Sequence, residues 1–234
     1  MKHCRLTIIA LLLCASSFAQ GPISGPSAVC DGNTITLTNS TPGGTWTSST
    51  PAVATVSIAT GIVTGLSTGV TTITYTVGAS FVTHPVTVNP PPAAIGGPSS
   101  VCVGSSITLT NAVSGGTWSS SSMSIAPITT ATGVLTGVSA GTTVVTYTLG
   151  TGCSTVKIIT VNPVPGAITG PSSICAGGTT STPLVPSTMG GTFTSSSISV
   201  AILGGTGLVT GVSSGTVTIS YTATTGCYST NSFT

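Results

Sequence analysis

Three landmarks recur along this 234-residue chain at nearly constant spacing, and that periodicity limits the possible folds more than any other feature. Gly-Pro-Ser-Ala-Val-Cys ends at Cys30, Gly-Pro-Ser-Ser-Val-Cys at Cys102 and Gly-Pro-Ser-Ser-Ile-Cys at Cys175. Gly-Gly-Thr-Trp ends at Trp46 and Trp118, and Gly-Gly-Thr-Phe at Phe193. Val-Thr-Gly-Leu-Ser-Thr-Gly (63–69), Leu-Thr-Gly-Val-Ser-Ala-Gly (135–141) and Val-Thr-Gly-Val-Ser-Ser-Gly (209–215) each lead into a segment carrying Tyr75, Tyr147 or Tyr221. Corresponding residues are offset by 72 to 75 positions. Asn89-Pro90-Pro91-Pro92 and Asn162-Pro163-Val164-Pro165 punctuate the series as short, stiff joints. The spacing predicts a leader over 1–19 and three units over 20–90, 91–163 and 164–234, the last short of its final strand.

Within each unit apolar residues alternate with Thr or Ser. Ile73, Tyr75 and Val77 share one face and Thr72, Thr74 and Thr76 the other; Val145-Tyr147-Leu149 and Val217-Ile219-Tyr221 repeat the pattern. Period two with one buried face predicts antiparallel strands, and no segment keeps a helical period. Several short strands between Gly, Pro, Asn and Ser turns predict an all-β chain: three tandem two-sheet sandwiches arranged as a rod. Trp46, Trp118, Phe193, Tyr75, Tyr147 and Tyr221 are the expected core residues, one large aromatic pair per unit.

The stretch Gly-Val-Leu-Thr-Gly-Val-Ser-Ala-Gly-Thr-Thr-Val-Val-Thr-Tyr-Thr (133–148), preceded by Gly-Gly-Thr-Trp-Ser-Ser-Ser-Ser, resembles the bacterial immunoglobulin-like domain, group 2, related to the stalk domains of the invasin and intimin adhesins. All three units carry the likeness, which implies immunoglobulin-like antiparallel sandwiches used as passive spacers in surface proteins. The third unit departs from the pattern, with Pro183 and Pro186 where its sisters have Ile-Thr-Leu-Thr, so its second strand is in doubt. The openings, joints and leader also resemble exported proteins of Bacteroidota, which often carry a C-terminal sorting domain. Unit three stops at Ser232-Phe233-Thr234 where its sisters continue to Asn-Pro, which predicts a fragment of a longer repeat protein.

Lys2, His3 and Arg5 before the apolar run 6–15, with Ser17-Phe18-Ala19 ahead of Gln20, read as a secretory signal peptide. The run is too short to span a bilayer, and no later stretch is long enough, so no integral membrane segment is expected after signal removal. The chain holds only four charged residues, Lys2, Arg5, Asp31 and Lys157, and loss of the leader leaves the last two in balance. A neutral chain has no long-range pull on phosphate, so nucleic acid is excluded as a partner. With 48 Thr and 35 Ser, hydroxyls replace charge as the means of wetting the surface. The expected location is secreted or on the cell surface.

Cys30, Cys102, Cys153, Cys175 and Cys227 remain after the leader and should be oxidised in an exported protein. Two pairings are open. Bookkeeping within units joins Cys102 to Cys153 and Cys175 to Cys227, leaving Cys30 over because Phe81 stands where its partner would be. A count of strand directions puts the turn after the first strand and the last hairpin turn at opposite poles of a sandwich, too far apart for a bridge, which needs Cα atoms within about 7 Å. Head-to-tail stacking would then join Cys30 to Cys153 and Cys102 to Cys227, and Cys175 to a cysteine of a further unit.

Catalysis has little to work with. His84 is the one histidine and Asp31 the one carboxylate after the leader, so no nucleophile–base–orienter set, carboxylate pair or calcium cage can be assembled. No Cys-x-x-Cys pair suggests zinc, and no cofactor or metal is expected. Asn39-Ser40-Thr41 fits a glycosylation sequon of the kind chance supplies in so Ser- and Thr-rich a chain. The reading is a non-catalytic extracellular stalk protein, its partner a surface module or adjacent repeats. The alternative is an adhesion module that binds glycan, host protein or like chains. An exposed apolar or aromatic patch confined to one unit separates the two, with Tyr228, Met189 and Met123 the residues to inspect.

Overall fold

A computed structural model describes residues 20–186 and 188–234; the leader expected over 1–19 lies outside the described residues. These residues form strands and turns, with no helix among them. Two compact units divide between Pro90 and Pro91.

The first unit is one sandwich. β1 (Ile23–Ser24) pairs with β4 (Thr38–Asn39), and β3 (Thr34–Thr36), β7 (Ile62–Gly65) and β6 (Ala54–Val56) form a second ribbon. Across the core, β2 (Ala28–Cys30), β9 (Ser80–Asn89), β8 (Gly69–Val77) and β5 (Thr45–Ser48) make a four-stranded sheet in that order. The Thr/apolar alternation of β8 sends Ile73 and Tyr75 inward, and β9 adds Val86 and Val88. Only one pair is parallel: β2 runs with β9, Val29 opposite Val88. The leading chain makes a bend after β1, crossing from one sheet to the other at Gly25, where a Cβ would stand 2.8 Å from the Thr36 carbonyl oxygen, and so enters β2 in the direction of the last strand. A wholly antiparallel sandwich, as the alternation predicts, leaves out this crossing, since β2 is three residues long and too short to carry a period.

The second unit holds two cores. In the first of them β10 (Ser100–Cys102), β15 (Ser154–Asn162), β14 (Gly141–Thr148) and β12 (Thr117–Ser120) repeat the four-stranded sheet, β10 again parallel to β15, and β11 (Ser106–Thr108) pairs with β13 (Val134–Thr136). In the other, β16 (Thr192–Ser195), β19 (Val217–Thr222) and β20 (Tyr228–Phe233) form one sheet and β17 (Ala201–Leu203) pairs with β18 (Val209–Gly211). Pro183 and Pro186 lack the N–H a ladder needs; the strand corresponding to β3 and β11 is reduced to one isolated bridge, Thr179 to Thr210, and the counterpart of the β1–β4 pair to another, Thr169 to Val185.

One aromatic pair organises each core. Trp46 faces Tyr75 across β5 and β8 with centroids 4.5 Å apart, Trp118 faces Tyr147 at 4.6 Å, and Phe193 faces Tyr221 at 4.9 Å. Such tilted pairs add about 0.5–1.5 kcal/mol to the burial of their area. The tyrosine hydroxyl then ties the sheet to the loop before it: Tyr147 Oη accepts from Gly116 N–H at 2.8 Å and donates to the Val113 carbonyl at 2.7 Å, and Tyr75 and Tyr221 do the same with Gly44 and Thr41, and with Gly191 and Thr188. Trp46 and Trp118 are buried, whereas Phe193, a smaller ring, is only half-buried and packs against the edge of its core. Gly-Gly-Thr before each ring is also explained, because a Cβ on Gly116 would lie 2.5 Å from the Tyr147 ring.

Serine and threonine act inside as well as outside. Thr143 is buried, and its hydroxyl meets Ser120 Oγ at 2.8 Å and Ser121 Oγ at 3.1 Å and accepts from Ser122 N–H at 3.2 Å. Thr71 does likewise with Ser48, Ser49 and Thr50. These bonds hold the chain that leaves β5 or β12 against the neighbouring strand, and in the last sandwich Val217 takes the threonine's place with its core neighbours.

Tyr147→Phe strands the Gly116 N–H and the Val113 carbonyl, and should lower stability by about 1–2 kcal/mol with no change of secondary structure, read as a fall in the urea midpoint. Gly133→Ala should cost more, since Gly133 sits at φ 70° with a Cβ position 2.6 Å from the Leu109 carbonyl oxygen and 2.9 Å from the Trp118 ring. A Gly133→Ala variant as stable as the parent would contradict this packing.

Candidate functional site

The features that distinguish these sandwiches from bare scaffolds lie at their ends. Cys102 closes β10, and Cys227 closes the turn between β19 and β20, in which Ala223 N–H donates to the Cys227 carbonyl at 2.8 Å and Gly226 N–H to the Ala223 carbonyl at 2.9 Å. Gly226 takes φ 85°, the left-handed conformation that such a tight turn requires. Cys102 and Cys227 are joined by a disulfide, with Cα atoms 5.6 Å apart and a sequence separation of 125. The bond therefore links the start of one sandwich to the last hairpin of the next, and the within-unit pairings Cys102–Cys153 and Cys175–Cys227 do not occur. The reason is directional: β10 and the β14–β15 turn lie at opposite ends of one sheet, since β10 pairs with the far end of β15 at Thr160–Asn162.

Around the bond, Cys227 is fully buried and its Sγ lies 3.9 Å from the Asn162 carbonyl oxygen. A cavity of about 250 Å³ beside it is lined by Val103, Gly104, Val164 and the ring of Tyr228. Cys30 and Cys153 are likewise oxidised. Cys175, expected in a bridge, is instead a free, exposed thiol, because Cys227, its within-unit candidate, is taken by Cys102.

His84, Lys157 and Asn231 occupy one position in the three repeats, opposite Ile73, Val145 and Ile219. Each reaches back to the leading segment: His84 Nε2 lies 3.1 Å from Ser27 Oγ, Lys157 Nζ donates to the carbonyls of Ile95 and Gly97, and Asn231 Nδ2 donates to that of Ile168 at 3.4 Å. A long polar donor there fastens the incoming chain. Asn39 is similarly committed, donating to the Gly21 carbonyl at 2.6 Å and accepting from Thr41 N–H at 2.8 Å, so the sequon residue is a turn brace. Among the described residues no group of three metal-ligating side chains comes together. Nor is there, among the described residues, a helix long and apolar enough to cross a membrane.

Of the residues marked for inspection, Met189 is 89% exposed, Tyr228 61% and Met123 60%, and they are scattered over different loops and strands. The contiguous apolar patch lies elsewhere, on the outer face of β14 and β15. Val144 sits opposite Ile158, with Val156 diagonal to the pair, and all three are exposed. The equivalent positions are Thr72, Thr83 and Pro85 in the first repeat and Thr218, Thr230 and Ser232 in the third. A three-way comparison of outward strand positions would have found it; counting aromatics and methionines does not.

The sequence profile of the bacterial Ig-like domain (group 2) matches residues 33–88 and 82–160, more than half of the chain. The chain belongs to that family. No curated protein matches it. Solved structures similar to it include a C-terminal fragment of intimin in complex with the intimin-binding domain of its translocated receptor: 16% identity, 63% of this chain and 67% of that one, TM-score 0.42. Invasin, a bacterial integrin-binding protein, is 18% identical over 91% of this chain and 58% of its own, with a TM-score of 0.41. Domains 4 and 5 of the surface-layer protein SbsC are 23% identical, over 55% of this chain and 82% of that chain, with a TM-score of 0.26. This Ig-like chain thus spans a little over half the length of the invasin structure.

Non-reducing peptide mapping should return a Cys102–Cys227 crosslink, and a thiol reagent should label Cys175 in the native protein. Recovery of Cys102 bound to Cys153 would contradict the arrangement. By chain entropy a loop of this length contributes on the order of 4–5 kcal/mol, so Cys227→Ser should lower the melting temperature of the last sandwich and expose a second thiol.

Proposed function

We propose that this chain is a non-catalytic structural repeat protein of the bacterial cell surface, which spaces or projects a partner module. The observation that carries the reading is the Cys102–Cys227 bond. A disulfide that joins consecutive sandwiches end to end adds nothing to a binding pocket or a reaction, but it prevents two repeats from separating under load. Membership of the Ig-like family, the oxidised cysteines and the signal-like leader support an exported location. The near absence of ionisable side chains supports a role without acid–base chemistry.

Adhesion is the second reading, and Val144, Val156 and Ile158 favour it. An aliphatic patch present on one repeat and replaced by Thr, Ser or Pro on the others is the kind of local departure that a contact surface needs.

Stretching single molecules tests the first reading. With the bond intact, the 125-residue separation between Cys102 and Cys227 is withheld from the extension, so reduction, which also opens the bonds of Cys30 and Cys153, should lengthen the fully unfolded chain by at least roughly 40 nm at about 3.4 Å per residue. Equal lengths before and after reduction would contradict a load-bearing staple. For the second reading, Val156→Thr with Ile158→Ser should abolish retention of the protein on cells or like chains without altering its melting temperature; retention unchanged by the double substitution assigns the patch no part in adhesion.

A further inference from the structure

The residue through which each leading segment enters its sandwich is a proline in two repeats and a glutamine in the first. Ile23, Ile95 and Ile168 are buried at corresponding positions, and Gly25, Gly97 and Gly170 follow two residues later with φ of 140°, 98° and 130°. Three residues ahead of each isoleucine stand Gln20, Pro92 and Pro165. The next residue carries the same brace in the first two repeats, since Asn39 Nδ2 donates to the Gly21 carbonyl and Asn111 Nδ2 to that of Ala93. Pro92 and Pro165 are buried, and Gln20 is half-buried. Gln20 therefore occupies a seat that the fold otherwise gives to a pyrrolidine ring.

An open glutamine side chain fits that seat incompletely. Its Nε2 donates to the Tyr75 carbonyl at 3.0 Å, but Oε1 is buried and has no partner in the protein. A buried acceptor left unpaired is costly, and the proline side chains of the sisters bring no such atom. Cutting the chain after Ala19 would add a second mismatch, an α-amine that is largely protonated at neutral pH, at a half-buried position. No carboxylate side chain is at hand to balance it. Asp31, the one such residue described, follows Cys30, which pairs with Asn89; Tyr75 pairs with Val82, at the other end of β9.

We propose, resting on the reading of residues 1–19 as a leader cut after Ala19, that Gln20 is a modification site and that the exported protein begins with pyroglutamate. The α-amino nitrogen attacks Cδ of its own side chain and the Cδ–Nε2 bond breaks. Nε2 takes one proton from the attacking nitrogen and leaves as ammonia, so no oxidant or reductant takes part. The product is a lactam whose ring holds N, Cα, Cβ, Cγ and Cδ, the same atoms that close the ring of proline. Closure removes the terminal charge and draws Cδ with its oxygen back to the main chain, out of the unpartnered position near the Tyr75 carbonyl. The ring then lies where Pro92 and Pro165 lie in their own repeats. A blocked, neutral start also denies exopeptidases the free amine they recognise, which a spacer role by itself does not require.

The full-length protein, exported by a bacterial host and recovered with its cysteines oxidised, provides the test. Once the leader is lost, Lys157 carries the only side-chain amine, and an open Gln20 would add its α-amine. An amine-reactive biotin ester, applied to the intact protein in urea before digestion, should add a single label on Lys157. The peptide that starts at residue 20 should be lighter than the encoded one by one ammonia. Gln20→Ala, which has no amide to attack, should take a second label at its α-amine. Pyroglutamyl peptidase should release the ring several-fold faster from the unfolded than from the native protein. A peptide that starts at residue 20 with its encoded mass and a labelled amine overturns the proposal and leaves the leader reading standing, whereas a start at any other residue overturns both. A single label on Gln20→Ala assigns the block to another modification and overturns the proposal, and equal release of the ring from native and unfolded protein overturns its placement in the proline seat.

Discussion

Each sandwich depends on a cross-strand contact between an indole or phenyl ring and a tyrosine whose hydroxyl closes the loop ahead of that ring. The contact joins three levels in one place. Gly-Gly-Thr clears space for the tyrosine, the strand register sets ring against ring, and the hydroxyl satisfies a glycine N–H and a loop carbonyl that would otherwise be costly to bury. The sheets pack around that pair, and the turn of φ 70° at Gly133 fits only because no Cβ stands between the Leu109 carbonyl and the Trp118 ring.

An almost uncharged chain has to satisfy its polar groups by other means. Here hydroxyls do it: Thr71 and Thr143 anchor the exits of β5 and β12, and side chains at positions 84, 157 and 231 fasten the incoming segment by donating to carbonyls or meeting a serine. Within the second unit the Cys102–Cys227 bond adds a covalent link between its two sandwiches. Cys175 is free in the last sandwich, at the position where the sisters carry the oxidised Cys30 and Cys102.

Much of this was legible in the residues. Alternation placed Ile73, Tyr75, Val145, Tyr147, Ile219 and Tyr221 inward, and the repeated Gly-Gly-Thr-Trp placed the rings, because period and spacing are properties of the local chain. What depends on three-dimensional neighbours was less readable. Bookkeeping within units left a second cysteine pairing open, but the count of strand directions pointed to the staggered one, and the Cys102–Cys227 bond follows it. The parallel β2–β9 pair follows from a crossing at Gly25 that three residues of strand cannot announce. The half-burial of Phe193 is not visible in its spacing, which matches that of the buried Trp46 and Trp118. The patch of Val144, Val156 and Ile158 was hidden because valine and isoleucine suit any strand, whichever face they occupy.

The most direct test of the aromatic pair as the organising contact uses the two tryptophans of the whole chain, Trp46 at 5% and Trp118 at 6% exposure. Fluorescence of the native protein should show a blue-shifted emission for both, weak quenching by acrylamide, and a single cooperative red shift as each sandwich unfolds. Emission at the wavelength of free indole in water, with full access to acrylamide under native conditions, would contradict the account.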